Sequence, residues 1–168
     1  MTALLWNIIG MGKPARVRQL RELMLAEKVD IAGVQKTIKQ TFTRQELDAI
    51  SRGNFTLNWL PTCGHSGGIL VGVKLDDKDD EDWFVSDFLI AVTIRERKIN
   101  FRWVLMVVYG HAQHDLSTDF LTEMATRLSG QILLVVIGGD FSLIREPDDK
   151  SSMRADAGLM DSFNTFID

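Results

Sequence analysis

Six consecutive aliphatic residues, Ile132-Leu-Leu-Val-Val-Ile137, run straight into Gly138-Gly-Asp140, and no other junction in the chain limits its fold as much. A strand with no polar position is buried on both faces, as in a layered α/β protein rather than a half-wet antiparallel sheet. The glycines end the run. The aspartate then sets a charge at the C-terminal end of the strand, where layered sheets assemble their sites.

The remaining elements fit such a framework. Thr2-Ala-Leu-Leu-Trp-Asn-Ile8 reads as a strand broken by Gly10-Met-Gly12, and Pro14 suits the first turn of a helix that follows at once. Val17, Leu20, Leu23 and Met24 recur at three and four residues, which predicts one buried stripe with arginines opposite. Val29 to Gln35 reads as a second buried strand. Thr43 with Glu46 three residues on is a capping box and predicts a helix over 44–51. Short strands are expected over 57–61 and 67–74. Two long strands, Trp83 to Glu96 and Ile99 to Tyr109, form a hairpin around Arg97-Lys98. A helix over 116–128 stops at Gly130, and Leu159, Phe163 and Phe166/Ile167 give 158–168 helical spacing. The acidic run Asp76 to Asp82 lacks the glycine and spaced final glutamate of a calcium hand and reads as a solvated turn.

At 168 residues and 45% hydrophobic, the chain is expected to form a single α/β domain over 1–168. Its apolar runs are far shorter than the ~20 residues of a membrane helix, and no signal pattern opens it. An intracellular place, cytoplasmic or nuclear, is expected. The single cysteine, Cys63, excludes an intramolecular disulfide, and three histidines with one cysteine argue against structural zinc. Of 19 basic and 23 acidic residues, 1–52 hold nine and five, which makes that part +4 and the remainder −8. That balance excludes a uniformly basic nucleic-acid coat but leaves a local basic face at Arg16, Arg18 and Arg21.

Four strands end in polar residues that a structural strand does not need: Asn7, Gln35-Lys36, Tyr109 and Asp140. The segments Leu5-Trp-Asn-Ile-Ile-Gly10, Val34-Gln-Lys-Thr37, His65-Ser-Gly-Gly68, Val108-Tyr-Gly-His111 and Gly138-Gly-Asp-Phe-Ser142 occur in that order. Together they resemble the endonuclease/exonuclease/phosphatase family, most closely the endonuclease-like domain of plant long-interspersed retrotransposons. The resemblance implies a deoxyribonuclease-like two-sheet sandwich flanked by helices, with magnesium and a phosphodiester at one rim. It also implies that Asn7 lies beside the metal, that Tyr109 contacts phosphate and that Asp140 orients the attacking water.

Departures from the pattern point away from cleavage. Lys36 stands where the family has its metal-binding glutamate, so +1 replaces −1, and a divalent ion ~4 Å from that ammonium meets roughly 8 kcal/mol of repulsion at an effective dielectric of ~20. No metal or other cofactor is therefore expected, with magnesium only if the site works. Ser142 replaces a phosphate-binding asparagine and has one donor to offer. No histidine follows His114, so the family's late histidine motif has no counterpart, and the second sheet is expected to be incomplete. The expectation is a truncated, retrotransposon-derived domain with vestigial Asn7, Tyr109, Asp140 and Ser142, which acts by binding protein or nucleic acid. Arg16, Arg18, Arg21 and Lys36 are the candidate nucleic-acid contacts. Phe84, Phe88, Trp103, Leu159 and Phe163 are the candidate surface for a homodimer or protein partner, and no membrane contact is expected. The alternative is an active magnesium-dependent phosphodiesterase using Asp140 with His111 or His65.

Overall fold

A computed structural model of the chain describes residues 1–63, 66–110, 114–149 and 156–168. They form two compact units: residues 1–109 with 133–140, and residues 110–132 with 141–168.

The first unit is a sandwich of two four-stranded sheets. One sheet holds β1 (Ala3–Asn7), β2 (Ile31–Gln35), β3 (Phe55–Cys63) and β4 (Ser66–Lys74) in the order β1-β2-β4-β3. The other holds β5 (Lys78–Val85), β6 (Leu89–Glu96), β7 (Phe101–Tyr109) and β8 (Leu134–Asp140) in chain order. Two strand pairs are parallel: β1 with β2, which aligns Asn7 with Gln35, and β7 with β8, which aligns Tyr109 with Asp140. All four polar strand ends therefore lie at C-terminal ends of parallel pairs, where connections leave the sheet and sites form.

Ile31, Val71 and Val73 of the first sheet pack against Ile90, Val92, Ile94, Leu105 and Val107 of the second. On the other face of the first sheet lie α1 (Pro14–Ala26) and α2 (Arg44–Ser51), whose Val17, Leu20, Met24 and Ile50 close a second core over Val34 and Leu70. Pro14 begins α1, as its fixed φ favours. The capping box of α2 is complete: Glu46 N–H donates to Thr43 Oγ1 at 3.2 Å, and Thr43 N–H donates to Glu46 Oε2 at 2.9 Å. The second unit contains α3 (His114–Leu128) and α4 (Ala157–Ile167), with the rings of Phe120, Phe141 and Phe163 in contact at centroid distances of 6.3 and 5.5 Å. Among the described residues no helix is long and apolar enough to cross a membrane.

Several expectations need correction. The acidic run is not a solvated turn: Lys78 to Asp82 belongs to strand β5. Its charges are absorbed by arginines of neighbouring strands, Asp79 by Arg95 at 2.5 Å and Glu81 by Arg102 at 2.8 Å. Lys78 is only 2% exposed and is held by Asp77 at 2.5 Å and Glu96 at 3.6 Å. Burial works against its charge, but these carboxylates outweigh it and raise the ammonium's pKa. The segment expected as one strand over 83–96 is split at 86–88 into β5 and β6. The apolar β8 is not covered on both faces: Leu134 and Val136, which share one face, are 61% and 45% exposed. Of the candidate interface residues, Phe88, Trp103 and Phe163 are buried within this chain, so as folded they present no outer surface. Phe84 and Leu159 are half-buried.

Candidate functional site

The loops after β1 and β2 are tied into one rigid rim. Ile8 N–H donates to the Gln35 carbonyl at 3.0 Å, Gly10 N–H to Lys36 at 2.7 Å and Met11 N–H to Thr37 at 2.8 Å. The start of β4 closes the rim from the other side, with Thr37 N–H donating to Gly68 and Ile38 N–H to Gly67. This web holds Lys36 in the left-handed region, at φ 53°, a conformation that costs a residue with a Cβ of order 1 kcal/mol or more unless its surroundings impose it. Gly68 allows the closure, since a Cβ there would stand 2.4 Å from the buried Thr37 hydroxyl.

Held this way, the Lys36 side chain reaches Asp140. Its Nζ lies 3.7 Å from Asp140 Oδ2 and 5.7 Å from the centre of the Tyr109 ring. Asn7 Nδ2 donates to the same carboxylate oxygen at 2.7 Å, which joins the ends of β1 and β8. The amide oxygen of Asn7 is buried without a hydrogen-bond partner. Gln35 is buried and donates back to the Gly33 carbonyl at 3.2 Å, so it serves the strand end rather than the crevice. Asn7, Lys36, Tyr109 and Asp140 are thus brought together. Ser142 lies in the second unit with φ 52°, and His65 and His111 lie outside the described residues. Arg18 and Arg21 line a cleft with Gln45 and Ala49 of α2, and Arg16 donates to Gln19 at 3.1 Å.

A divalent cation does not fit this arrangement. Magnesium is held by one or two carboxylates that leave it room for water. Here the one carboxylate among these four residues already receives an amide and faces an ammonium, so their formal charges cancel. Among the described residues no group of three histidine, cysteine, aspartate or glutamate side chains is placed to hold a metal. What the site brings together at the sheet rim is one ammonium and one amide, both turned to one carboxylate, beside a phenol.

Tyr109 supplies a direct readout. Burial, and then the nearby Asp140 charge, push the phenol's pKa above its ordinary value near 10. The neutral form is the one favoured in the fold, so the stabilisation this shift represents is present below pH ~10 and is lost as pH rises through the folded pKa. Tyr109 is the only tyrosine. Alkaline difference absorbance therefore reads it alone, and its midpoint is expected above that of free tyrosine, moving down in Asp140→Asn. An unmoved midpoint in that variant would show that Asp140 does not act on the ring.

The Lys36 conformation and the seat of Thr37 under Gly68 were not legible in the sequence, although both residues lie in segments that carry the resemblance. A left-handed residue without glycine leaves no signature in a single sequence.

No protein-family model matches the chain, and no curated protein does. Solved structures do match in fold. An AP endonuclease from Archaeoglobus fulgidus superposes with a TM-score of 0.73 at 14% identity, over 98% of this chain and 69% of its own. The catalytic domain of human Nocturnin gives 0.65 at 17% identity, over 86% and 65%. An endonuclease/exonuclease/phosphatase family protein from Bacteroides thetaiotaomicron gives 0.66 at 11% identity, over 97% and 67%. The fold is thus the deoxyribonuclease-like sandwich of endonuclease/exonuclease/phosphatase proteins, and the chain spans about two thirds of the length of these three.

Proposed function

We propose that the chain is a retrotransposon-derived, endonuclease-like domain that holds phosphodiester backbones without cleaving them. The observation that carries this is the ion pair of Lys36 Nζ with Asp140 Oδ2 at 3.7 Å. An ammonium in that place attracts a phosphate directly and positions it, but it does not generate a nucleophilic hydroxide as a bound divalent ion can. Ser142, with a single donor, supports the same view, because fewer donors are offered to the charge that develops during phosphoryl transfer. Descent from a retrotransposon domain rests on the ordered motifs from Asn7 to Ser142. The fold adds nothing to it, since the same fold also serves proteins described as phosphatases.

Binding of labelled duplex and abasic oligonucleotides is expected in the non-specific range, roughly 10⁻⁴–10⁻⁶ M at physiological salt. It should weaken as salt rises, with a slope of about −0.9 per phosphate contacted, and weaken again in Lys36→Ala. Supercoiled DNA is expected to stay intact with magnesium or manganese. Absent or salt-insensitive binding would remove the proposal. Nicking that EDTA stops and Asp140→Ala abolishes would establish the active phosphodiesterase in its place.

A further inference from the structure

Between α1 and α2 lies a cleft of about 370 Å³ walled by Val17, Arg18, Arg21, Gln45 and Ala49. Arg21 is also a wall of a second cleft of about 440 Å³, with Leu25, Lys28, Ile50, Arg52 and Phe55. Arg21 lines both, so the two clefts adjoin along α1, and together they are called the groove. Among the described residues no acidic side chain lines the second cleft, and Glu46, the one acid in the first, is already bound to Lys39.

Among the described residues, four of the five cations that line these clefts have no anionic partner. Arg95 and Arg102 of the second sheet and Arg97 in the turn after β6 are each paired with a carboxylate, and Lys74, the fifth cation lining the clefts, is tied to Asp76 at 2.8 Å. No such pair involves Arg18, Arg21, Lys28 or Arg52 among the described residues, and Arg21 Nε is buried without a hydrogen-bond partner. In a chain of net charge −4, four unpaired cations along one groove form a local basic field against the global sign. The floor between them is apolar. Met24, Ile50 and Phe55 line it, and Leu25 stands 51% exposed among the charges.

We propose that this groove docks an acidic peptide segment carrying large apolar side chains, on a surface that shares no residue with the Lys36–Asp140 crevice. Carboxylates of the segment would meet Arg18, Arg21, Lys28 and Arg52, while its apolar side chains cover Leu25 and enter the clefts. Such a combination of desolvated apolar anchors and rim charges is how peptide grooves gain affinity and register. A nucleic acid fits less well: a single strand finds only Phe55 to stack on among the residues lining the clefts, and a duplex, held at its phosphates, leaves the apolar floor and Leu25 uncovered. A second copy of this chain fits less well too. In its acidic run Asp76, Asp77, Asp79 and Glu81 are already engaged by Lys74, Lys78, Arg95 and Arg102.

The test uses the full chain and three labelled probes: a short synthetic peptide of glutamates interspersed with leucines, poly-glutamate of the same length, and a duplex oligonucleotide. The mixed peptide is expected to bind roughly tenfold more tightly than poly-glutamate, and Leu25→Ser is expected to remove that difference. Arg21→Glu should weaken the mixed peptide at least about tenfold. Arg18→Glu, at an exposed position where folding is not in question, should weaken it in the same direction. Lys36→Ala should leave peptide binding unchanged, which separates this site from the crevice whatever the crevice binds. Equal binding of both peptides with no effect of Leu25→Ser would reduce the groove to diffuse attraction and overturn the proposal. So would loss of oligonucleotide binding, with peptide binding intact, in Arg21→Glu. A dimer seen by light scattering that Arg21→Glu dissolves would likewise overturn it and make the occupant a second copy.

Discussion

Gly139→Val is expected to destabilise the fold severely. Gly139 sits in β8 opposite Val108 with φ +140°, and a Cβ built there lies 2.1 Å from the Val108 carbonyl oxygen. The oxygen belongs to backbone and the Cβ is fixed to backbone directly, so neither can move aside without breaking the β7–β8 ladder. A β-branched residue also cannot adopt that φ without strain. Overpacking alone costs ~1–3 kcal/mol, and backbone strain of similar size adds to it. Against a total stability of roughly 5–15 kcal/mol, the sum of roughly 2–6 kcal/mol is a large share and reaches the whole only at the lower end. Urea unfolding followed by far-UV circular dichroism should give a far lower midpoint for Gly139→Val than for the wild type, and an intermediate one for Gly139→Ala. A wild-type midpoint in the valine variant would mean that β8 is not paired as described. The same substitution would displace Asp140, so a milder variant that still folds should also lower the Tyr109 midpoint by that carboxylate's part, leaving the part due to burial.

Lys36→Glu is expected to convert a metal-indifferent protein into a metal-stabilised one. In the wild type the ammonium beside Asp140 repels a divalent ion, so melting temperatures in excess magnesium and in EDTA should coincide. In the variant two carboxylates share the crevice with the buried, unpartnered Asn7 Oδ1. Like charges at that separation destabilise the metal-free form, and an ion between them relieves the repulsion. At a metal concentration about a hundredfold above its dissociation constant the gain is about 2.7 kcal/mol. For a chain of this size that corresponds to a shift of roughly 5–10 °C. Lys36→Met, which removes the charge without adding a ligand, should respond little. Magnesium stabilisation of the wild type as large as that of Lys36→Glu would show that Lys36 does not exclude the ion.

Much of the fold was written in local signals. Pro14, the Thr43/Glu46 box, the aliphatic run 132–137 and the periodic apolar residues of α1 each place an element where it is found, because propensity and capping act within a few residues. The candidate site was legible as a set of strand ends, and Asn7, Lys36, Tyr109 and Asp140 do converge. The failures concern charge and exposure. A run of six acids and one lysine reads as solvated when its sequence neighbours alone are considered, yet arginines from β6 and β7 make it a strand, with Lys78 almost wholly buried. An aliphatic run reads as doubly covered, yet β8 ends its sheet and shows Leu134 and Val136. Aromatic residues at 88, 103 and 163 read as an outward surface and are core.

By itself the sequence determined the layered α/β class, the ends of most helices, the exchange of a carboxylate for an ammonium at residue 36, and the sign of charge in each part of the chain. These depend on residue identity or on interactions a few positions apart. Only the tertiary structure decided that Lys36 lies across from Asp140, that Asn7 donates to the same oxygen over 133 residues of separation, and that Arg18, Arg21, Lys28 and Arg52 come to line clefts whose one acid, Glu46, is tied to Lys39. Those outcomes depend on which strands become neighbours and on how two loops lock each other's backbone. Long-range pairing of this kind is selected by the burial of the whole core rather than by any local stretch of chain.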